Sequence, residues 1–492
     1  MLGAGASSVA GFLLVVVVTR GLPQREAGVF FALTSVFLIA QVLSGLGTGT
    51  GLVYFIARMR SLGTVERIRA FQRVALGPVV AVSVIAALVL GLWASDVGRW
   101  VGAQGDDLHV TVLVLAVLLP VAALSDSLLA ATRGHATMLP TVVVDKAGRS
   151  LLQLGLVTLA VVVGTASTAL VAAAWALPWL ASALVAGWFL ARLGRTLPAP
   201  SAVDAAVPPP WREFWTFTGP RVISSVAQLL LQRFDIVLVS VLIGPVQAAI
   251  YTAATRFLVV GQLSSLAIAN AAQPRLAELL AVDARASAKS VYQSATAWIV
   301  VMTWPLYLLC AVFADVVLAV FGRGYAAGKP VILVLAAAML FATACGMVDM
   351  VLNMAGRTTW TMANAVIAVA VMIGVDLLLI PRIGILGAGI GWAIAIATNI
   401  SLPLIQLRVS LGLHPFGRAT VTAAALCLVC FGAVPGAARL VWPDSVVASI
   451  VAVALGAAAF AAACLRWRDV LDLPGLRAFR RGRPRVPAPV AD

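Results

Sequence analysis

The sequence predicts an all-α polytopic membrane protein with about 14 transmembrane helices, arranged as two pseudo-symmetric six-helix bundles plus two C-terminal helices. Three observations carry that prediction. Of 492 residues, 62% are hydrophobic and 11% charged, whereas soluble globular domains carry roughly 25% charged residues. Apolar runs close to the ~20 residues that a spanning helix needs recur from end to end, with short polar breaks between them. Polar residues also repeat at a nearly constant offset between the two halves of the chain.

In order, the expected spans are 3–20, 28–57, 74–94, 108–132, 139–163, 169–191, 216–243, 246–272, 291–313, 330–354, 358–380, 387–407, 419–434 and 446–465. They group into an N-terminal bundle over 1–195, a cytoplasmic linker over 196–215 with the segment VPPPW, and a C-terminal bundle over 216–410. Two extra helices over 411–465 and a basic cytoplasmic tail over 466–492 complete the chain. The opening MLGAGASSVAGFLLVVVVTR reads as the first span rather than a signal peptide, because it lacks a basic n-region. Cys310, Cys345, Cys427, Cys430 and Cys464 all lie in apolar segments, which points to packing rather than to disulfides or a metal cluster.

With both termini on the cytoplasmic side, 22 of the 34 basic residues fall on inner connections or the tail and seven on outer connections. That bias fixes orientation and absorbs most of the net charge of +15. The tail motif RRGRPR is suited to anionic lipid head groups. Nucleic acid is not expected as a partner, since no folded domain remains to present a basic face.

Thr34, Gln41 and Ser44 in the second span recur as Thr255, Gln262 and Ser265 in the eighth, each 221 residues on. Their i, i+7, i+10 spacing forms one narrow helical stripe, the arrangement that lines a cavity. SSVA recurs at Ser7 and Ser224, and Asp126 and Asp349 stand 223 apart. Six spans separate the copies, so both halves enter the membrane in the same sense, as in transporters that bind at the interface between repeats.

Ionisable residues at bilayer depth cost roughly 2.5 to 3.5 kcal/mol each on insertion scales and mark a polar path or a ligand by default. In the seventh span, Arg221, Ser224, Ser225, Gln228, Gln232 and Asp235 share one face, with Arg233 flanking it. In the fifth, Asp145, Lys146, Arg149 and Gln153 form a second stripe. There the i, i+4 spacing pairs Asp145 with Arg149 and leaves Lys146 without a partner in its own helix. Arg256 lies near mid-depth in the eighth. Long cationic side chains in a row suit a phosphate or diphosphate. The alternative is structural, with Arg233 paired to Asp235 or Asp349, and the intramembrane acidic and basic residues balance.

GRGYAAGKP at 322–330 has the wrong glycine spacing for a phosphate loop and ends in Lys-Pro. GLGTGTG at 45–51 and GILGAGIG at 384–391 place small residues four apart, which favours close helix packing. No nucleotide-binding element is present in the sequence, so active transport would run on an ion gradient, membrane potential or mass action, and no cofactor is expected. Asp126, Asp235 and Asp349 are the candidates for coupling to H+ or Na+.

FDIVLVSVLIGPVQAAIYTAATRF at 234–257, and the region from GYAAGKPVILVL through LNMAGRTTWTMANAVI to LLLIPRIGILGAGIGWAIA at 324–396, resemble the polysaccharide transporter family. These are the Wzx-type lipid-linked oligosaccharide flippases of the multidrug/oligosaccharidyl-lipid/polysaccharide exporter superfamily. The resemblance implies a V-shaped pair of bundles that alternates between inward-open and outward-open states in the bacterial plasma membrane. The implied cargo is an undecaprenyl-diphosphate-linked oligosaccharide for cell-surface polysaccharide, with other assembly proteins as partners. Its diphosphate would meet Arg233, Arg256, Lys146 and Arg149, with Gln232, Gln228, Gln41 and Gln262 beside them. A lipid II flippase and an ion-coupled multidrug extruder of the same superfamily are the competing readings. An envelope polymerase or ligase, and enzymatic function generally, is disfavoured because the outer connections are too short for a catalytic loop.

Overall fold

A computed structural model describes residues 2–102, 107–163, 167–195, 210–443 and 445–472, and every regular element among them is helical. The α-helices are α1 (Leu2–Gly21), α2 (Gln24–Ser44), α3 (Thr48–Leu62), α4 (Ile68–Leu92), α5 (Ala94–Trp100), α6 (Asp107–Gly134), α7 (Ser150–Val162), α8 (Thr168–Ala176) and α9 (Pro178–Gly194). They continue with α10 (Trp211–Ile243), α11 (Pro245–Ala281), α12 (Arg285–Val312), α13 (Ala314–Ala319), α14 (Lys329–Ala344) and α15 (Val348–Met354). The last are α16 (Thr358–Ile383), α17 (Ile385–Leu411), α18 (Arg418–Cys427), α19 (Val434–Val441) and α20 (Val446–Arg466). Two π-helical segments, Thr141–Arg149 and Leu428–Ala433, interrupt the α geometry.

Among the described residues, 12 helical stretches are long and apolar enough to cross a membrane, so the protein is a polytopic all-α membrane protein. The first and fifth expected spans fall on α1 and on the π segment with α7. The second and tenth are each broken in two. Leu46 and Gly47 have φ of 49° and 65° between α2 and α3, and Gly346 has φ of 72° between α14 and α15. Such left-handed backbone ends a right-handed helix, and glycine adopts it without Cβ strain. The parts of the linker at 196–209 and of the tail at 473–492 lie outside the described residues.

The chain forms two compact units. The first comprises Met1–Ala254, Leu318–Gly328 and Met372–Ala388, and so includes α10. In it α6 packs against α3, α4, α8 and α9, while α1 lies along the π segment and α7, where the Ser7 and Ser150 hydroxyls bond at 2.9 Å. Phe55, Phe71 and Phe214 stack in its core, with Phe55–Phe71 centroids 4.8 Å apart. Because lipid tails are as apolar as these side chains, close packing rather than water exclusion holds such helices together. Gly51 bears this out: a Cβ there would meet the Phe214 ring at 2.9 Å. Gly28 is tighter still, since a Cβ would run into the Pro245 carbonyl. Gly28→Ala is therefore expected to cost roughly 1–3 kcal/mol and to lower the thermal unfolding midpoint in detergent; an unchanged midpoint would contradict this packing.

The second unit comprises Thr255–Val317, Lys329–Val371 and Gly389–Asp492. Here α12 is central and packs against α14 and α18. Trp304 donates from Nε1 to Thr343 Oγ1 at 3.0 Å and Trp298 to the Leu471 carbonyl at 2.9 Å, which satisfies both buried indoles. All five cysteines are free thiols, and Cys427 and Cys430 pack in the core with Val300 and Trp304.

Candidate functional site

In the first unit, the end of α2, the glycine turn, the start of α3, α6, the π segment and α10 surround a cavity of about 310 Å3. Its polar lining is Gln41, Thr48, Asp126, Ser127, Arg133 and Thr141, together with Asp145, Lys146 and Ser225. Gln41 is 3% exposed and donates from Nε2 to Asp126 Oδ2 at 2.8 Å, while its Oε1 has no hydrogen-bond partner among the described residues. Asp126 is exposed to the cavity. The Thr48 and Ser127 hydroxyls lie 3.1 Å apart. Just past α6, burial and then the nearby Arg60 push the His135 imidazole below its ordinary value. His135 therefore adds no charge at neutral pH, and the cationic groups on the wall are Lys146 and Arg133.

The π segment supplies the charge cluster. Arg149 donates to Asp145 Oδ1 from Nε at 2.9 Å and from Nη2 at 2.6 Å, as the i, i+4 spacing predicts. Its guanidinium carbon lies 4.0 Å from the Trp179 ring centroid, and Nη1 reaches Gln153 Oε1 at 3.3 Å. The expectation that Lys146 lacks a partner in its own helix is corrected: its ammonium sits 3.2 Å from Asp145 Oδ2. A four-carbon stem is long enough to fold back onto the second carboxylate oxygen of the preceding residue. Arg149 already neutralises Asp145 with two charge-assisted bonds, so Lys146, 46% exposed at its side chain, carries the surplus positive charge into the cavity.

The stripe on α10 does not act as one surface. At one end, Arg221 donates to the Phe217 carbonyl and lies over the Phe217 ring at 3.7 Å. In the middle Gln228 and Gln232 are exposed, and neither lines the cavity. At the other end Asp235 is 2% exposed, accepting from the Tyr251 hydroxyl at 2.5 Å and from the Ile236 amide at 2.8 Å. Arg233 is half-buried, forms no hydrogen bond or ion pair among the described residues, and lies outside the cavity wall. It makes no ion pair with Asp235 or Asp349 among the described residues, although Asp235 is near enough to act on it electrostatically. Asp376, on α16, is fully buried, and both carboxylate oxygens lack a hydrogen-bond partner among the described residues. Asp235 is near enough to act on it electrostatically.

In the second unit, the repeated polar set is used differently. Gln262 is exposed, and the carboxylate corresponding to Asp126, Asp349, takes its hydrogen bond from Asn399 Nδ2 at 3.4 Å instead. Its Oδ1 is buried without a hydrogen-bond partner among the described residues. Arg256 is half-buried and donates to Thr255 Oγ1 at 3.2 Å.

Trp179 and Asn399 escape a sequence reading. Both are neutral residues in apolar helices, and what singles them out is the charged neighbour that the fold brings to them. Trp179→Leu should remove a cation–π contact worth about 0.5–2 kcal/mol. A lowered unfolding midpoint with severalfold slower transport is expected, and full activity would show that Asp145 alone holds Arg149 in place.

Comparison with known proteins gives this architecture a family. A family model described as polysaccharide biosynthesis protein matches residues 1–280. A Haloferax volcanii protein named "Probable low-salt glycan biosynthesis flippase Agl15" is 21% identical over 250 residues, 50% of this chain and 52% of that protein. The match thus spans about half the length of that curated relative. Among solved structures, the lipid II flippase MurJ in an inward closed conformation superposes with a TM-score of 0.74 at 11% identity, over 96% of this chain and 99% of that one. An inward-facing multidrug resistance MATE family transporter gives 0.61 at 16% identity, over 82% and 94%. At such identities these likenesses show the fold alone. The chain belongs to the polysaccharide biosynthesis protein family.

Proposed function

We propose that the protein is a flippase for an undecaprenyl-diphosphate-linked oligosaccharide, moved across the plasma membrane by alternating access for cell-surface polysaccharide assembly. One observation carries the assignment to an anionic head group: the cavity of the first unit holds Lys146 with its charge left over after Arg149 has satisfied Asp145. Hydroxyls and amides around it, from Gln41, Thr48, Ser127 and Ser225, suit sugar and phosphate oxygens. Arg233, on the same helix as Ser225 and about 12 Å further along at 1.5 Å per residue, offers the next cationic contact. A flippase for a glycan-linked lipid is also what the name of the Haloferax volcanii relative describes. Coupling to H+ or Na+ is assigned to Asp376, which is buried with neither carboxylate oxygen hydrogen-bonded among the described residues and whose charge needs a cation in so dry a place, with Asp235 near enough to act on it.

The test is reconstitution in vesicles loaded with a short undecaprenyl-diphosphate-linked oligosaccharide. Lys146→Gln should slow flipping severely while the protein still inserts. Preference for lipid II over this substrate in the same vesicles would move the assignment to a lipid II flippase, and transport of cationic dyes in place of both would make it a multidrug extruder.

A further inference from the structure

Away from that cavity, the N-terminal end of α4 and the C-terminal end of α9 meet. Leu190 packs against the cluster that contains Phe71, Val74 and Ala75, and Arg69 Nη2 donates to the Gly194 carbonyl at 3.0 Å. Two cavities open there: one of about 640 Å3 lined by Arg69, Gln72, Arg73, Leu76, Gly77 and Val80, and one of about 340 Å3 lined by Trp188, Ala191, Arg192 and Arg195. Each cavity carries two arginines from one helix, the Arg69–Gly194 bond ties the two helices beside them, and none of the four has a carboxylate partner among the described residues. Some arginines at other helix ends are paired, Arg58 with Glu213, Arg275 with Glu278 and Arg285 with Asp283, while Arg60, Arg408 and Arg418 have no carboxylate partner among the described residues either.

What lies next to the arginines is apolar and exposed. Along α4, Val80, Val84, Ile85 and Leu88 face outward, and along α9, Leu184 and Val185 do. Trp188 is 55% exposed with Arg192 5.5 Å from its ring centroid, the amphipathic pairing expected at the boundary between head groups and tails. A surface that is cationic at its rim and apolar below it complements an anionic amphiphile. Basic pockets between membrane helices hold anionic head groups in this way.

We propose that this junction is a binding site for an anionic glycerophospholipid of the surrounding leaflet, with its phosphate held by Arg73, Arg192 and Arg195 and its acyl chains lying over Leu76, Val80 and Leu184. Arg69, tied to Gly194, holds the two helix ends together beneath it. The site is separate from the translocation cavity, so it stands whether or not the transported lipid has been assigned correctly.

The experiment measures retention of phosphatidylglycerol against phosphatidylcholine by the purified protein, using native mass spectrometry with titrated lipid. The wild type should favour phosphatidylglycerol by about tenfold or more, since each arginine at an anionic lipid surface contributes roughly a factor of five. R73Q/R192Q/R195Q should lose the preference, while R382Q, an exposed arginine elsewhere, should keep it. If the triple variant does not fold, Arg73→Gln and Arg195→Gln alone, both at exposed positions, should each weaken retention about fivefold. An unchanged preference in these variants, or none in the wild type, overturns the proposal. Displacement of phosphatidylglycerol by undecaprenyl diphosphate one for one would overturn it too, because the junction would then belong to the substrate.

Discussion

Lys146→Gln is expected to slow flipping of a diphosphate-linked oligosaccharide by roughly a hundredfold, while Arg149→Lys slows it less. Hydrogen bonds to charged groups contribute about 1.5 to 3 kcal/mol each, and 1.4 kcal/mol is a factor of ten. An ammonium facing a diphosphate through two of its three donors therefore accounts for an effect of that size. Lys146 also touches Asp145 at 3.2 Å, so a purely structural role predicts a loss as well. The double variant Asp145→Asn/Lys146→Gln separates the two roles. If Lys146 only balances Asp145, removing both charges restores flipping. If Lys146 holds the head group, the double variant stays inactive, because Arg149 already neutralises Asp145 through Nε and Nη2. Restored flipping in the double variant would remove Lys146 from the substrate path.

The bridge between Asp145 and Arg149 is legible in the sequence because i, i+4 neighbours meet on any helix of nearly this pitch. The hydrogen bond from Gln41 to Asp126 is not: periodicity says which face a residue occupies and nothing about the helix opposite. The stripe on α10 shows the same limit, since Gln228 and Gln232 share a face with Asp235 yet are exposed while Asp235 is buried. Burial along a long helix depends on which neighbour packs at each depth. The repeat carries over as a pattern of residue types but not of contacts, because Asp349 takes Asn399 as its partner, where Asp126 takes Gln41. The helix breaks at Gly47 and Gly346 escape a hydropathy reading because glycine is neutral on such scales. Only the positive φ shows its use.

Asp376→Asn is expected to make transport insensitive to an imposed ion gradient and to slow gradient-driven transport by about tenfold or more. The argument rests on cost. An isolated carboxylate in a dry interior is unstable by several kcal/mol, and Asp376 is fully buried with neither oxygen hydrogen-bonded among the described residues. Asp235, 2% exposed, adds a second carboxylate whose charge acts on it, although the Tyr251 hydroxyl and the Ile236 amide stabilise Asp235 itself. Asp376 remains in place only if a proton or a small monovalent cation compensates it, and loss of that ion leaves a repulsion from Asp235 that the fold relieves by moving. Asparagine keeps the shape and removes the charge. The variant should then unfold at the same temperature as the wild type or higher, with a midpoint that no longer depends on Na+ or pH. Vesicles with opposed pH and Na+ gradients distinguish the two ions, and gradient-dependent transport that survives in Asp376→Asn would show that the coupling ion binds elsewhere, with Asp126 and Asp349 the remaining carboxylates to test.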